Sequence, residues 1–366
     1  MLTPSDESPE SVARLGVIGA GDISAQYART LRDHPGIEIV RIGGRDPQRA
    51  AIRAHQLGVA AGGTIEELLA DDRIDLVLNL TPPQAHFETS MRILDAGKHA
   101  WSEKPVALRG EEVAELRAMA EARGVRIGVA PDTFLGPGIQ RAVRMLRDGA
   151  VGAPAGGIAI MQKPGPEAWH PAPEFFYRKG AGPLHDIGVY YLTALTQLLG
   201  SIVEVRADGR ISQQPRRVAT GPSAGTLFRS EVPTTVGAIY RFEGGAQVSA
   251  LFGFDAHRTR EVLEIEGSEG DLAIPDPDKF EGTITLRTSG GSPRRFEAAA
   301  APDQPRAGRG IGALELLDAV REGRPHRASL ELAGHVLDAL NATLEALDTG
   351  AAVSVLSRLP QVMPAR

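Results

Sequence analysis

The sequence contains no cysteine, and this absence excludes disulfide bonds, thiolate catalysis and cysteine-ligated zinc. Its histidines are scattered without the spacing of metal ligands, so we expect no metal site. Long apolar runs are also missing, and no stretch reaches the length that a membrane-spanning helix requires. We therefore expect no structural disulfide, no bound metal and no membrane partner.

An excess of positive charge is likewise absent, because the formal net charge is −6. This balance gives no reason to expect nucleic acid as a partner, and any site for an anion must be local. Residues 1–12 are polar and lack the basic start and apolar core of a signal peptide, so we predict a disordered N-terminus and a cytoplasmic protein. At 366 residues the chain is long enough for two domains.

The motif around which the chain is organised is Gly19-x-Gly21, which ends a short apolar strand and precedes an amphipathic helix. Gly19 permits a tight turn, and Gly21 lets the backbone approach a pyrophosphate held at the helix N-terminus. Ser24 replaces the third glycine of the usual fingerprint and is small enough for close packing. The alternative is an ordinary glycine-rich turn. The positions predicted to bind a dinucleotide here are Gly19, Gly21, Asp22 and Ile23.

Two different strand patterns predict the fold class. Residues 13–130 alternate helices with strands that are apolar throughout, which is typical of a parallel sheet covered on both faces. From residue 203 onward most strands alternate apolar and polar residues, which is typical of an antiparallel sheet. We therefore predict an α/β protein with a dinucleotide-binding domain over residues 13–130 and a second domain, for substrate binding and oligomerisation, over residues 131–366.

A polar motif follows one predicted strand of the first domain. Thr81 and Pro82 leave the carboxyl end of the buried strand, and His86 follows them in the next helix. In an open α/β sheet that end of a strand lines the ligand crevice, so we predict that these three residues face the cofactor. The alternative is a helix start with an exposed histidine.

Glu103-Lys104-Pro105 follows the next predicted strand, where neighbouring residues would meet a nicotinamide. Pro105 disfavours a helical backbone at Lys104 and so holds it in an extended geometry. A positioned, partly desolvated lysine can have a lowered pKa or can polarise a hydroxyl. The alternative is a solvated loop, but the position after a sheet strand favours a role at the cofactor.

Asp186 and Tyr190 lie four residues apart in a predicted helix and therefore share one face of it. The alternative interpretation is an acidic residue favoured in the first turn by the helix dipole, beside a packed tyrosine. Bringing Lys104 to these two residues would require a crevice between the two domains.

Taken in order, these motifs resemble those of the glucose–fructose oxidoreductase, inositol dehydrogenase and rhizopine-catabolism (Gfo/Idh/MocA) family. The resemblance extends from residue 14 to about residue 347. It implies a Rossmann domain followed by an α/β domain with an open, mostly antiparallel sheet. It also implies NAD(P)-dependent oxidation or reduction of a hydroxyl on a sugar or cyclic polyol. The motifs that carry it are Gly19-x-Gly21, Thr81-Pro82, Glu103-Lys104-Pro105, Gly182-x-x-x-Asp186-x-Gly188 and Gly267-x-x-Gly270.

The resemblance assigns Lys104 as the active-site lysine and Asp186 as its partner. Many family members have histidine where this chain has Tyr190. Glucose–fructose oxidoreductase and dihydrodiol dehydrogenases look similar to this chain in having tyrosine there, and the identity of the proton-transfer group stays open. Pairing of sheet faces is usual in the relatives. Because Val248, Ala250 and Phe252 would leave an uncovered face apolar, we expect a homodimer or homotetramer.

The end of the second strand, Gly43-Gly44-Arg45-Asp46, bears on the choice of cofactor. Dehydrogenases that select NAD usually place an acidic residue here for the ribose hydroxyls. Asp46 is instead explained as the N-cap of the helix that begins at Pro47, which leaves Arg45 beside the adenosine. A guanidinium suits a 2′-phosphate, so NADP is slightly favoured, although Arg45 can equally stack on adenine and leave NAD acceptable.

Aromatic and polar residues crowd into a short stretch before the Asp186 helix. Trp169, His170 and Tyr177 suit the apolar faces and hydroxyls of a sugar ring and are predicted to bind the substrate. A packing or subunit-contact loop is an equal alternative. The predicted function is that of a sugar or polyol dehydrogenase. Two alternatives remain: a redox-assisted glycoside-cleaving enzyme with bound nicotinamide cofactor, and a non-catalytic NADP sensor.

Overall fold

The computed structural model describes residues 12–300 and 307–359, which form two compact units. The first unit comprises residues 12–132 and 307–330, and the second comprises residues 133–300 and 331–359. The sequence predicted two contiguous domains divided at residue 130 and did not anticipate the return of residues 307–330 to the first unit. Apart from Val12, the predicted disordered N-terminus lies outside the described residues.

The first unit is built on a parallel sheet. Its strands are β1 (Ala13–Ile18), β2 (Ile37–Gly44), β3 (Ala61–Thr64), β4 (Leu76–Asn79), β5 (His99–Ser102) and β6 (Ile127–Val129). Its helices up to this point are α1 (Ile23–Arg32), α2 (Pro47–Gln56), α3 (Ile65–Leu69), α4 (His86–Asp95) and α5 (Gly110–Arg123). The strands pair in the order β3-β2-β1-β4-β5-β6, and every pairing is parallel. This is the predicted Rossmann sheet.

Local sequence signals explain the first unit's helix starts. The Asp46 carboxylate accepts hydrogen bonds from the backbone N–H groups of Gln48 and Arg49, which makes it the predicted N-cap of α2. Thr64 and Glu67 form the predicted capping box of α3. Strand β3 was not predicted, because its Ala-Gly-Gly-Thr sequence lacks an apolar run. Gly62 is required there, since a Cβ would lie 2.5 Å from the Cα of Ala51.

The second unit contains a nine-stranded mixed sheet. Its first elements are α6 (Pro137–Arg147), β7 (Pro154–Pro164), a π-helical turn (Leu184–Gly188), α7 (Val189–Leu199), β8 (Ile202–Arg210), β9 (Arg216–Arg217) and β10 (Leu227–Phe228). The strands that follow are β11 (Thr235–Phe242), β12 (Gln247–Gly253), β13 (Asp255–Gly267), β14 (Gly270–Ile274), β15 (Gly282–Thr288) and β16 (Arg294–Ala298). The remaining elements are α8 (Ile311–Arg321), which belongs to the first unit, α9 (Leu330–Thr349) and β17 (Val353–Ser354).

The large sheet has the strand order β16-β15-β14-β13-β7-β12-β11-β8-β17. All neighbours are antiparallel except β7 and β12, which run parallel, so the mostly antiparallel sheet is confirmed. The long central strand β7 was not predicted. It opens with Pro154 and two glycines, and its apolar residues are contiguous rather than alternating.

The face of this sheet that carries Val248, Ala250 and Phe252 is covered, contrary to the expectation. Val248 and Phe252 have no exposed surface and Ala250 is 7% exposed, so these residues pack in the core of the second unit. They cannot be the uncovered apolar face on which an oligomer was predicted. The opposite face of β12 carries Ser249 and Leu251.

Residues 307–330 complete the core of the first unit. Gly312 on α8 packs on the ring of Trp101 so closely that a Cβ would lie 2.0 Å from it. The backbone N–H of Val129 donates to the carbonyl of Ala328 at 2.9 Å. Together these contacts hold α8 at the β5 and β6 side of the sheet. No helix in the described part of the chain combines the length and apolarity needed to cross a membrane.

Candidate active site

The turn after β1 has the geometry that a dinucleotide pyrophosphate requires. Gly19 has a φ of 124°, and a Cβ there would lie 2.4 Å from the carbonyl oxygen of Leu80. A Cβ at Gly21 would meet no atom within 4 Å, so the backbone at this position faces open space. Gly19 therefore serves the turn, whereas Gly21 leaves room for a ligand at the start of α1. The residues fit a nicotinamide dinucleotide.

Two side chains hold this turn in place. Ser24 is buried, and its hydroxyl donates to the carbonyl of Gly21 at 2.7 Å, so it also ties α1 to the turn. Arg53 on α2 donates from Nε to the carbonyl of Ala20 at 3.1 Å and from Nη2 to Oδ1 of Asp22 at 3.2 Å. The role of Arg53 was missed because it lies far from the glycine motif in sequence. Ile23 begins α1, as the cofactor prediction requires.

At the end of β2 the structure confirms that Asp46 caps a helix, which is the step on which the argument for NADP depends. The Asp46 carboxylate is occupied as the cap of α2, at 3.0 Å from the N–H of Gln48. Arg45 is exposed beside it. The exposed guanidinium is therefore the side chain available at this position, as the sequence suggested.

The segment after β4 is fixed by a buried amide. Asn79 has no exposed surface, and its Nδ2 donates to the carbonyl of His86 at 2.9 Å and to Oγ of Ser90 at 3.0 Å. Its Oδ1 accepts a hydrogen bond of 2.7 Å from the hydroxyl of Thr81. Pro82 follows and caps a short 3₁₀ turn. Asn79 therefore sets the backbone that carries Thr81 and Pro82.

His86 lies where the prediction did not place it. Its ring is buried, with Nδ1 2.6 Å from the carbonyl oxygen of Pro105 and Nε2 2.6 Å from that of Thr81. Burial lowers the pKa of His86, and the two carbonyl oxygens and the Glu103 carboxylate oppose that shift. Because both ring nitrogens face carbonyls, His86 joins the segments that follow β4 and β5, and the predicted direct contact with a cofactor does not fit its buried ring.

Glu103 is held from both sides. The hydroxyl of Tyr27 donates to Glu103 Oε1 at 2.8 Å, and Trp101 Nε1 donates to the same hydroxyl at 3.0 Å. Glu103 Oε2 accepts the backbone N–H of Lys104 at 3.0 Å. Burial, together with the charge of Glu103, raises the pKa of Tyr27. The buried chain Trp101–Tyr27–Glu103 therefore fixes the backbone at Lys104, which is itself half-buried.

A second buried carboxylate, Asp132, was not predicted. It follows β6, has no exposed surface, and its Oδ2 accepts the backbone N–H groups of Gly310 at 2.7 Å and Gly312 at 3.2 Å. Burial raises its pKa to about 6, against the opposing charge of Arg309. Asp132 therefore fixes the start of α8. Its partners lie 178 and 180 residues away in the chain, so no local signal could reveal it.

In the second unit, Asp186 lies in the π-helical turn that opens α7, and Tyr190 lies in the first turn of α7. The predicted continuous α-helix is thus replaced by π geometry at Asp186, a feature often found at functional sites. Asp186 is half-buried and Tyr190 is buried. A Cβ at Gly182 would lie 2.9 Å from Val232. The absence of a side chain at Gly182 therefore permits the helix to begin here.

The predicted substrate-binding stretch divides into a buried anchor and an exposed surface. Tyr177 has no exposed surface, and its hydroxyl donates to Glu167 Oε2. Arg216 lies 4.8 Å from the Tyr177 ring and forms ion pairs with Glu167 and with Asp255. Tyr177 is therefore committed to the core, and direct contact with a substrate does not fit its position.

The exposed surface is an aromatic cluster, defined here as Trp169, His170, Phe175 and Phe176. Trp169 is 58% exposed and Phe175 is 49% exposed. The rings meet edge to face, with 5.4 Å between the Trp169 and His170 centroids and 5.2 Å between those of His170 and Phe175. The buried Glu167–Arg216 pair anchors the segment that presents this cluster.

Comparison with known proteins decides which family these features represent. A profile described as "Oxidoreductase family, NAD-binding Rossmann fold" matches residues 13–130, and the GFO/IDH/MocA C-terminal domain matches residues 139–273. The dTDP-3,4-didehydro-2,6-dideoxy-alpha-D-glucose 3-reductase of Streptomyces violaceoruber is 30% identical over 329 residues, covering 84% of this chain and 94% of that enzyme. The chain belongs to the GFO/IDH/MocA family of oxidoreductases.

Two further relatives agree with this membership. Trans-1,2-dihydrobenzene-1,2-diol dehydrogenase of Sus scrofa is 26% identical over 296 residues, covering 80% of this chain and 82% of that enzyme. The structure of levoglucosan dehydrogenase in complex with NADH and L-sorbose shares the fold, with a TM-score of 0.82 at 21% identity over 94% of this chain and 99% of that one. The predicted resemblance is confirmed, and this GFO/IDH/MocA protein is an oxidoreductase with an NAD-binding Rossmann domain.

Proposed function

We propose that the protein transfers a hydride between a nicotinamide cofactor and a hydroxyl-bearing carbon of a sugar, glycoside or cyclic polyol. The observation that carries this proposal is Lys104 at the carboxyl end of β5, with its backbone fixed by a buried Glu103. A lysine held after that strand of an NAD-binding sheet is suited to handle the hydroxyl proton. The relatives named above, a reductase of a sugar derivative and a dehydrogenase of a diol, agree with this class of substrate.

In this proposal the cofactor lies on the residues of the first unit. Gly19, Gly21, Asp22 and Ile23 receive the pyrophosphate at the start of α1, while Thr81, Pro82 and Glu103 line the nicotinamide side. When bound, the nicotinamide supplies the hydride acceptor. NADP is slightly favoured, because Arg45 is exposed at the end of β2 and Asp46 is occupied as a helix cap.

The proton-handling residues we propose are Lys104, Asp186 and Tyr190. Lys104 accepts the proton of the substrate hydroxyl, and Asp186 and Tyr190 orient that hydroxyl and share the proton. Half-burial of Lys104 and Asp186 supports these roles, because partial desolvation makes a fixed charge more effective than it is in water. Tyr190 supplies a hydroxyl where many family members have histidine.

For the substrate we propose contact with Trp169 and His170. The exposed ring of Trp169 offers a flat apolar surface to a sugar ring, and His170 offers a polar edge beside it. Tyr177 acts indirectly, because its bond to Glu167 holds the segment from which both residues project. Phe175 enlarges the same aromatic cluster.

We also propose that the protein is a homodimer or homotetramer, formed through the outer face of the large sheet. On this face Ile160 of β7 pairs with Leu251 of β12 and Val262 of β13, and none of the three is fully buried. Ile239 of β11 on the same face is 45% exposed. Partly exposed apolar side chains grouped on one sheet face are typical of a subunit interface. Light scattering measures the mass of the wild type and of Ile239→Glu, and we expect an oligomer for the wild type and a smaller mass for the variant. A monomeric wild type would exclude this proposal.

The function is tested with a panel of sugars, glycosides and cyclitols, each offered with NAD and with NADP. We expect at least one compound to reduce the cofactor, measured by the absorbance of reduced nicotinamide. Product formation with bound cofactor and without accumulation of reduced nicotinamide would favour redox-assisted glycoside cleavage instead. Binding of the cofactor without turnover of any compound would favour a non-catalytic sensor.

A further inference from the structure

One end of the outer face of the large sheet carries a row of polar side chains that the proposed oxidoreductase chemistry does not use. In this row Arg210 of β8 pairs with Thr235 of β11, and Gln162 of β7 pairs with Arg260 of β13. Gly253 of β12 links the two halves of the row, because it pairs with both Thr235 and Gln162.

The four paired side chains of this row line a cavity of about 660 Å³, which we call the arginine basin. Besides Arg210 and Arg260 it is lined by Arg258 and His257, which precede Arg260 on the same strand. Ser212 and Thr235 also line it, and the Thr235 hydroxyl donates to Oδ2 of Asp255 at 2.9 Å. Its volume falls within the range of about 300–1,000 Å³ that is typical of small-molecule sites.

The arginines of the basin have almost no partners in the protein. Among residues 12–300 and 307–359, neither Arg210 nor Arg258 forms a side-chain hydrogen bond or an ion pair. Arg260 donates one hydrogen bond of 3.1 Å, from Nη1 to the neutral Oε1 of Gln162. Three guanidinium groups therefore share one cavity without a carboxylate of their own.

The single carboxylate in the basin, Asp255, is already committed. Its Oδ1 accepts a hydrogen bond of 2.7 Å from the buried Arg216, and its Oδ2 accepts the hydroxyls of Thr234 at 2.6 Å and Thr235 at 2.9 Å. Although burial alone would raise the pKa of Asp255, the hydrogen bonds from Thr234 and Arg216 leave it below its ordinary value. The basin thus retains an excess of positive charge in a chain whose net charge is −6.

We propose that the arginine basin binds a small anion that carries phosphoryl or carboxylate groups. Each guanidinium presents a planar fork of N–H donors that matches two oxygens of such a group. Placing three of them around one concave surface concentrates donors that the protein itself leaves unused. Arg260, oriented by its hydrogen bond to Gln162, supplies a fixed point for the ligand. This site is independent of the hydride-transfer reaction proposed above.

The test is isothermal titration of the full-length protein with inorganic pyrophosphate and, separately, with citrate. Saturating NAD is present throughout, so that the anions cannot bind at the glycine-rich turn instead. We expect binding of at least one anion, weakened about tenfold or more in the variant Arg210→Ala/Arg258→Ala/Arg260→Ala. Binding of pyrophosphate alone indicates a phosphoryl ligand, and binding of citrate alone indicates a carboxylate ligand.

Arg206→Ala is the matched control. Arg206 lies four residues before Arg210 on β8, on the same outer face of the sheet. It forms an ion pair with Glu204 and lies outside the basin. We expect this variant to bind the anions as the wild type does. The single variant Arg258→Ala, at an exposed position, gives a second measurement that does not depend on the folding of the triple variant.

Three results would overturn the proposal. The first is no binding of either anion by the wild type. The second is equal binding by the wild type and the triple variant. The third is a loss of oligomer mass in the triple variant although the wild type itself binds neither anion, which would assign the arginines to acidic side chains of a second copy.

Discussion

Tyr27 and Glu103, which lie 76 positions apart in the chain, share a buried hydrogen bond of 2.8 Å. It connects the first helix of the dinucleotide-binding sheet to the residue before Lys104. The same tyrosine hydroxyl accepts a hydrogen bond from Trp101. The position of the proposed catalytic lysine therefore depends on a core residue of α1, although Tyr27 looks like a simple packing residue in the sequence.

Tyr27→Phe tests this dependence. The change leaves Glu103 Oε1 and Trp101 Nε1 without their shared partner, so we expect a loss of about 1–3 kcal/mol in the free energy of unfolding and a lower kcat. Tyr240→Phe is the control, because it breaks a buried bond to Thr343 in the second unit and should lower stability without changing kcat. Unchanged kcat in Tyr27→Phe would show that Tyr27 only packs.

Cofactor preference tests the role of Arg45. Arg45→Ala should weaken binding of NADP far more than binding of NAD, by about 1.5–3 kcal/mol for a lost charge-assisted hydrogen bond. Dissociation constants for both cofactors, measured by fluorescence titration, decide the question. An equal loss for both cofactors would mean that Arg45 only stacks on adenine, and no loss would remove it from the site.

The pair Asp186 and Tyr190 is tested against the neighbouring tyrosine. Asp186→Asn should lower turnover about 10²–10⁴-fold, and Tyr190→Phe should alter the pH profile of kcat if its hydroxyl shares the proton. Tyr191→Phe is the control, because the buried Tyr191 hydroxyl has no hydrogen-bond partner among the described residues. If Tyr190→Phe matches Tyr191→Phe in turnover and pH profile, Tyr190 takes no part in proton transfer.

Acid stability is expected to depend on His335, which is buried in α9. Its Nε2 accepts the backbone N–H of Ile202 at 3.0 Å, and its Nδ1 lies 2.9 Å from the Ser357 hydroxyl. Burial lowers its pKa from 6.5 to about 4, so the unfolded chain takes up a proton at a higher pH than the folded protein. Stability should therefore fall as pH decreases from 6.5 towards 4.

Urea unfolding at several pH values measures this effect. The free energy of unfolding of the wild type should decrease through that range, and His335→Gln should show a smaller decrease, because glutamine does not titrate. The control is His34→Gln, at a partly exposed residue whose Nδ1 lies 3.0 Å from the carbonyl oxygen of Pro35. An equal slope in the wild type and His335→Gln would assign the acid sensitivity to other groups.

The sequence predicted those parts of the fold that have local signals. Asp46 before Pro47 and the Thr64–Glu67 capping box each involve contacts within a few residues. Strand β7 lacked such a signal, because its edges are rich in glycine and its position depends on pairing with β12 and β13. Sequence patterns also could not tell the inner sheet face from the outer one.

In the proposed site, too, local contacts could be predicted from the sequence and distant contacts could not. The sequence identifies candidate motif residues but not the residues that hold them in place, because those contacts join distant parts of the chain. Arg53 holds the glycine-rich turn from α2, and Asp132 accepts N–H groups from the start of α8. Tyr177 was predicted to bind the substrate because the neighbouring sequence does not show whether an aromatic residue before a glycine-rich helix start is buried or exposed.

Hydride transfer itself gives the most direct test of the central claim. A sugar or cyclic polyol that is active in the panel is prepared with deuterium on the hydroxyl-bearing carbon, and the recovered cofactor is analysed by NMR. We predict deuterium at C4 of the nicotinamide, formed about 10²–10⁴-fold more slowly by Lys104→Ala and at the wild-type rate by the exposed control Lys279→Ala. Product formed without deuterium in the nicotinamide would contradict the account.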